Sequence, residues 1–102
     1  MRENEVKVSK KYAKQLIFQT KVESTFDGLT TAYFTDKDGT PWIHYQVSPE
    51  RAANDKAATR AKTFLTKLNK LKQGDLVYCY GIIRLMDNGE CYRDVDEIIC
   101  KM

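Results

Sequence analysis

Long apolar runs are missing from this sequence, histidine and tryptophan occur once each, and proline occurs twice in 102 residues. Without a stretch of roughly 18 to 20 apolar residues no membrane-spanning helix is expected. The charged start from Met1 to Lys14 also lacks the apolar centre of a secretory signal. The expectation is a soluble, intracellular, cytoplasmic protein. Cysteine is scarce as well: Cys79, Cys91 and Cys100 are odd in number and have no CxxC spacing, which argues against a disulfide framework or a zinc module and for reduced thiols in the core. His44 alone makes no metal site unless ligands gather from distant segments. There is no phosphate-cradling P-loop, GxSxG or HExxH, so no enzyme, cofactor or metal is expected. The acidic pairs Asp36/Asp38 and Asp94/Asp96 fall where turns and exposed strand positions ordinarily carry charge.

What is present is a balanced composition, 42% hydrophobic and 30% charged, in a chain the size of one domain. Such a chain buries roughly two-thirds of its unfolded surface and holds a core without staples. The net charge of +3 is mild but uneven: residues 1–21 carry +4 and 49–72 carry +5, whereas 22–48 and 73–102 carry −3 each. Clustered positive charge points to a polyanion or acidic surface as partner, although a solvated helix face explains the second cluster equally well.

Residues 1–14 read as an N-terminal arm and 15–102 as a single domain. From Gln15 to Glu23 a first strand places Leu16, Phe18, Thr20 and Val22 on one side and Gln19, Lys21 and Glu23 on the other. Asp27-Gly28 is a turn dipeptide, and Leu29 to Thr35 completes a hairpin. Turn formers fill 36–41. Trp42 to Val47 then alternates, with Ile43, Tyr45 and Val47 on the face expected to look inward, and Trp42, His44 and Gln46 on the other. Ser48-Pro49-Glu50 has the chemistry of a helix start. Ala57, Ala61, Phe64, Leu65, Leu68 and Leu71 form an apolar stripe that Gly74 ends. A fourth strand spans Leu76 to Leu85, with Val77, Cys79, Gly81 and Ile83 opposite Tyr78, Tyr80, Ile82 and Arg84. Asp87-Asn88-Gly89 turns into a fifth, Cys91 to Ile99, anchored inward by Val95.

Three strands, a helix and two more strands leave edges that closure would remove. The predicted fold is therefore all-β with one helix: a five-stranded OB-fold barrel whose helix plugs one end, with Gly81 marking a bend. The run Gly74-Asp75-Leu76-Val77-Tyr78-Cys79-Tyr80-Gly81-Ile82-Ile83-Arg84, followed by Asn88-Gly89 and Asp96-Glu97-Ile98, resembles the last two strands of single-stranded DNA-binding OB-fold proteins. Tyr33-Phe34-Thr35-Asp36-Lys37-Asp38-Gly39 is similar to the second strand and loop of related nucleic-acid-binding OB domains. The likeness is to compact versions of phage or mobile-element type. The family's acidic C-terminal tail has no counterpart after Ile98-Ile99-Cys100-Lys101-Met102, so recruitment of partners by that route is not expected.

Binding a single strand without sequence preference requires aromatic surfaces for the bases and basic side chains for the phosphates. With the strand phases above, Tyr33, Trp42 and His44 project outward, on the face OB-folds use for oligonucleotides, with Trp42 the foremost stacking candidate. Tyr78 and Tyr80 lie outward on the fourth strand, where with Ile82 they equally suit a dimer contact. Lys21, Lys37, Arg84 and Arg93 are the candidate phosphate contacts, and the helix lysines and arginines are read as solubilising. The expected function is single-stranded DNA binding in replication or recombination, as a homodimer or higher oligomer. RNA or oligosaccharide binding, and a protein-interaction module on the same fold, are the alternatives.

Overall fold

The computed structural model describes residues 5–26, 29–47 and 49–102, without the side chains of Gln46 and Val47. The elements are β1 (Glu5–Val8), β2 (Tyr12–Glu23), β3 (Leu29–Thr35), β4 (Pro41–Val47), a 3₁₀ turn (Pro49–Arg51), α1 (Asp55–Leu68), β5 (Leu76–Met86) and β6 (Cys91–Lys101). Antiparallel pairing runs β2–β3, β3–β4, β5–β6 and β5–β2, and a parallel pairing of β4 with β6 closes the circuit. This is a five-stranded barrel with OB-fold connectivity, and β1 is an additional strand laid along the Arg84–Met86 end of β5. No helix among the described residues is long and apolar enough to cross a membrane.

The interior is built from Leu16 and Phe18 of β2, Ala32 and Phe34 of β3, Trp42 of β4, Val77 and Cys79 of β5, and Val95 and Ile98 of β6. Phe64 and Leu68 of α1 close one end. β5 has the expected phase, and Val95 is buried as expected. The phase of β2 changes midway, because a bulge shifts its register against β3 between Phe18 and Thr20. Beyond it Lys21 lies opposite the inward Ala32, while Thr20 and Val22 turn outward opposite Tyr33 and Thr31. The single regular alternation expected for this strand is thereby corrected.

β4 is likewise reversed relative to expectation. Its register with β3 sets Trp42 against Phe34 and His44 against Ala32, so Trp42 and His44 face inward and Ile43 and Tyr45 face outward. The cause is space. Ala32 leaves room opposite His44, and Gly81 has no side chain where the Trp42 indole lies.

The Asp27-Gly28 turn and the capping role of Ser48 lie outside the described residues. Pro49–Arg51 form one 3₁₀ turn, and α1 starts later than Ser48-Pro49-Glu50 suggests. Its N-cap is Asn54, whose side chain accepts from the Ala57 amide at 2.8 Å. Asp55 in the first turn and Lys67 in the last suit the helix dipole. The cysteines are free, but Cys79 alone is in the core, and Cys91 and Cys100 are exposed.

Candidate nucleic-acid interface

Antiparallel partners face the same side of a sheet, so the β2–β3–β4 wall presents two outward rows, Thr20–Tyr33–Ile43 and Val22–Thr31–Tyr45. Tyr45 is 58% exposed, Tyr33 is half-buried beside Ile43, and Val22 is exposed. At the same end of the β2–β3 ribbon as Tyr45, the connecting loop carries Phe26, 94% exposed, its amide donating to Ser24 Oγ at 3.3 Å. The wall thus carries the Tyr33 and Tyr45 rings on its outer side.

Of the residues expected to act there, Tyr33 is in place and Trp42 is not. Trp42 is 2% exposed and packs edge-on against Tyr12, ring centroids 6.2 Å apart. Its Nε1 donates to Asp36 Oδ2 at 3.2 Å, and Lys14 Nζ lies 5.5 Å from the ring centroid. His44 stacks on Phe64 of α1, centroids 3.7 Å apart and planes at 13°, and its Nδ1 donates to the Val95 carbonyl at 2.6 Å. The imidazole therefore ties β4 to β6 and to the helix instead of facing outward.

The tyrosines of β5 lie elsewhere on the barrel. Tyr78 is partly exposed, and Tyr80 is half-buried with Lys11 Nζ 4.9 Å from its ring centroid. β2 separates them from β3 and β6 separates them from β4, so they do not join the Tyr33–Tyr45 wall.

The expected phosphate contacts are also dispersed. Beyond the bulge, Lys21 reaches Asn69 Oδ1 at the end of α1 and Glu23 at 3.4 Å. Arg84 donates from Nε to Asp94 Oδ2 at 2.6 Å and from Nη1 to Glu5 at 3.0 Å, and the bond to Asp94 foremost raises its already high pKa. A phosphate would have to displace both carboxylates. Arg93 is exposed opposite Ile83, near Tyr12. Burial lifts the Tyr12 phenol, with Arg93 opposing and Asp36 adding. Lys37 is exposed in the β3–β4 turn, at the far end of the ribbon from Tyr45. That turn is organised by Asp36, whose Oδ1 accepts from the Asp38 and Thr40 amides at 2.9 and 3.0 Å. Partial burial pushes the Asp36 carboxyl up. Hydrogen bonds from Thr40, Trp42 and Asp38, with the charge of Lys14, outweigh this and hold it below the ordinary aspartate range.

A groove of about 810 Å³ opens beside Tyr45, between α1, the 3₁₀ turn and β4 and β6. His44, Phe64 and Ile98 contribute its apolar lining. Lys11 and Arg60 meet over Asp96 and Glu97 on one side, at N···O distances of 3.1–3.5 Å. Lys67 donates to the carbonyls of Ile98 and Ile99 at 3.0 and 3.3 Å.

Tyr45, expected inside, lies outside, and Phe26, which had no expected role, is exposed at the loop end. The signal for Phe26 was a large apolar ring beside a turn dipeptide, where packing gives it nothing to do. No family model, curated protein sequence or solved structure matches the chain.

Proposed function

We propose that this protein binds single-stranded DNA, with little sequence preference, by stacking bases on Tyr45 and Tyr33 of the β3–β4 wall and on Phe26 of the β2–β3 loop, in replication or recombination. The observation that carries the reading is the outward pair Tyr33 on β3 and Tyr45 on β4, the second and third strands of the barrel proper, the surface OB barrels present to oligonucleotides. Stacking on an aromatic is worth roughly 1–3 kcal/mol per base and tolerates any base, because each has a π-face. Two or three platforms give modest affinity for one copy, so useful binding calls for several copies on one strand.

The test is titration of end-labelled oligo-dT at low salt, followed by anisotropy, with duplex DNA and oligo-rU of equal length beside it. The expected result is binding to oligo-dT well above duplex. Tyr45→Ala, at an exposed position, is expected to weaken it at least about fivefold with the fold intact. Absence of binding to oligo-dT at low salt would overturn the reading, and stronger binding to oligo-rU would move it to RNA.

A further inference from the structure

We propose that the groove beside α1 continues the binding path of the strand, taking its sugar-phosphate backbone against Arg51 and Lys56 after the bases leave Tyr45. This rests on the reading above and extends it to a surface outside the β3–β4 wall.

Continuity is the first ground. Tyr45 belongs at once to the outward row of the wall and to the lining of the groove, so a strand stacked on it already stands at the groove's mouth.

Electrostatics gives the direction. The groove is lined by Lys11, Arg51, Lys56, Arg60 and Lys67 against Asp96 and Glu97. Lys11 and Arg60 engage those two acids, and Lys67 is turned to backbone carbonyls. Arg51 and Lys56 are exposed, and Lys56 makes no ion pair among the described residues. At the other end of the β3–β4 ribbon stand Asp36 and Asp38. A polyanion lying on the wall meets the Asp36 and Asp38 carboxylates at that turn and the +5 of residues 49–72 beside the groove, which draws it toward α1.

Shape permits the approach. On the α1 side, Ala57 and Ala61 lie among the basic side chains of the lining and leave space between them for the backbone of a ligand. The volume is within the range of about 300–1,000 Å³ typical of ligand sites.

The discriminating measurement is the salt dependence of oligo-dT affinity for three proteins: wild type, Arg51→Ala/Lys56→Ala, and Lys62→Ala/Lys70→Ala. The last removes the same charge from exposed positions of the same segment that do not line the groove. A single strand gives a slope of log affinity on log salt near −0.7 per phosphate neutralised. The groove variant is expected to be shallower by about 1.4, and the control to match wild type. Tyr45→Ala should lower affinity and leave the slope in place. A groove variant with the wild-type slope, or a control that flattens equally, overturns the groove path while the stacking wall stands. Wild type that fails to bind oligo-dT at low salt overturns both.

Discussion

The Trp42 indole lies so close over Gly81 that a methyl group on the glycine would sit 2.7 Å from Cζ3. The tryptophan is thereby admitted to the barrel interior by the one residue type that leaves the space. Gly81→Ala should overpack this end and destabilise the protein by roughly 1–3 kcal/mol. For a domain of this size each kcal/mol lowers the melting temperature by roughly 4–8 °C. A thermal midpoint equal to wild type would show that the indole is not seated there.

Burial of Trp42 makes it a reporter of folding and not of ligand. Its native emission should be blue-shifted, resistant to acrylamide and unmoved by saturating oligo-dT, shifting red on denaturation. Trp42→Ala removes a core aromatic, at a cost of roughly 3–5 kcal/mol. Strong quenching by oligo-dT, without unfolding, would return the indole to the surface.

Asp36 predicts a specific acid dependence. Its carboxyl titrates below the ordinary aspartate value in the folded protein, so folding favours the ionised form. The resulting stability is fully present above the unfolded pKa of about 3.9 and is lost as pH falls through the lower folded value. Asp36→Asn, which keeps the shape and removes the charge, should melt below wild type at neutral pH. The gap should persist to about pH 4 and close under stronger acid. A gap that stays constant down to pH 2 would contradict this.

The thiols should divide into two classes. Burial above all, with Cys100 nearby, pushes the Cys79 thiol up to about 12, whereas Cys91 and Cys100 are exposed. Thiolate is the reacting form. A disulfide reagent at pH 8 should modify Cys91 and Cys100 in the native protein and reach Cys79 only after denaturation. Rapid native modification of all three would show the core to be open.

How much of this could be read from the chain depended on whether a strand's two faces differ. In β5, small or aliphatic Val77, Cys79 and Gly81 alternate with Tyr78 and Tyr80, and the phase was plain. In β4 both faces carry large rings, Trp42 and His44 on one and Tyr45 on the other, so alternation could not choose between them. The choice was made by Ala32 and Gly81, on strands whose pairing the sequence does not display. In β2 one inserted residue at the bulge exchanged the faces of everything after Phe18. The Ser48-Pro49-Glu50 signal put the helix start too early: α1 begins at Asp55, with Asn54 as its cap. Barrel order survived these errors because it depends on the sequence of elements and not on their phase. The candidate site did not survive them, since a site is made of side-chain directions: Tyr33 remained, Trp42 and His44 turned inward, and Tyr45 came out.

Among the described residues the seam between β4 and β6 has one bridged pair, Ile43 with Asp94, beside the His44 bond to Val95, which joins positions 51 residues apart. This join spans less chain than the pairing of β2 with β5, but it rests on one bridge where β2 and β5 share six, so it is the weakest link in the ring of strands. When the native chain breathes, this is the place that parts first. Within the barrel, slowly exchanging amide protons will then gather along β2 and β5, each paired on both sides, while those on the β6-facing side of β4 trade with solvent sooner.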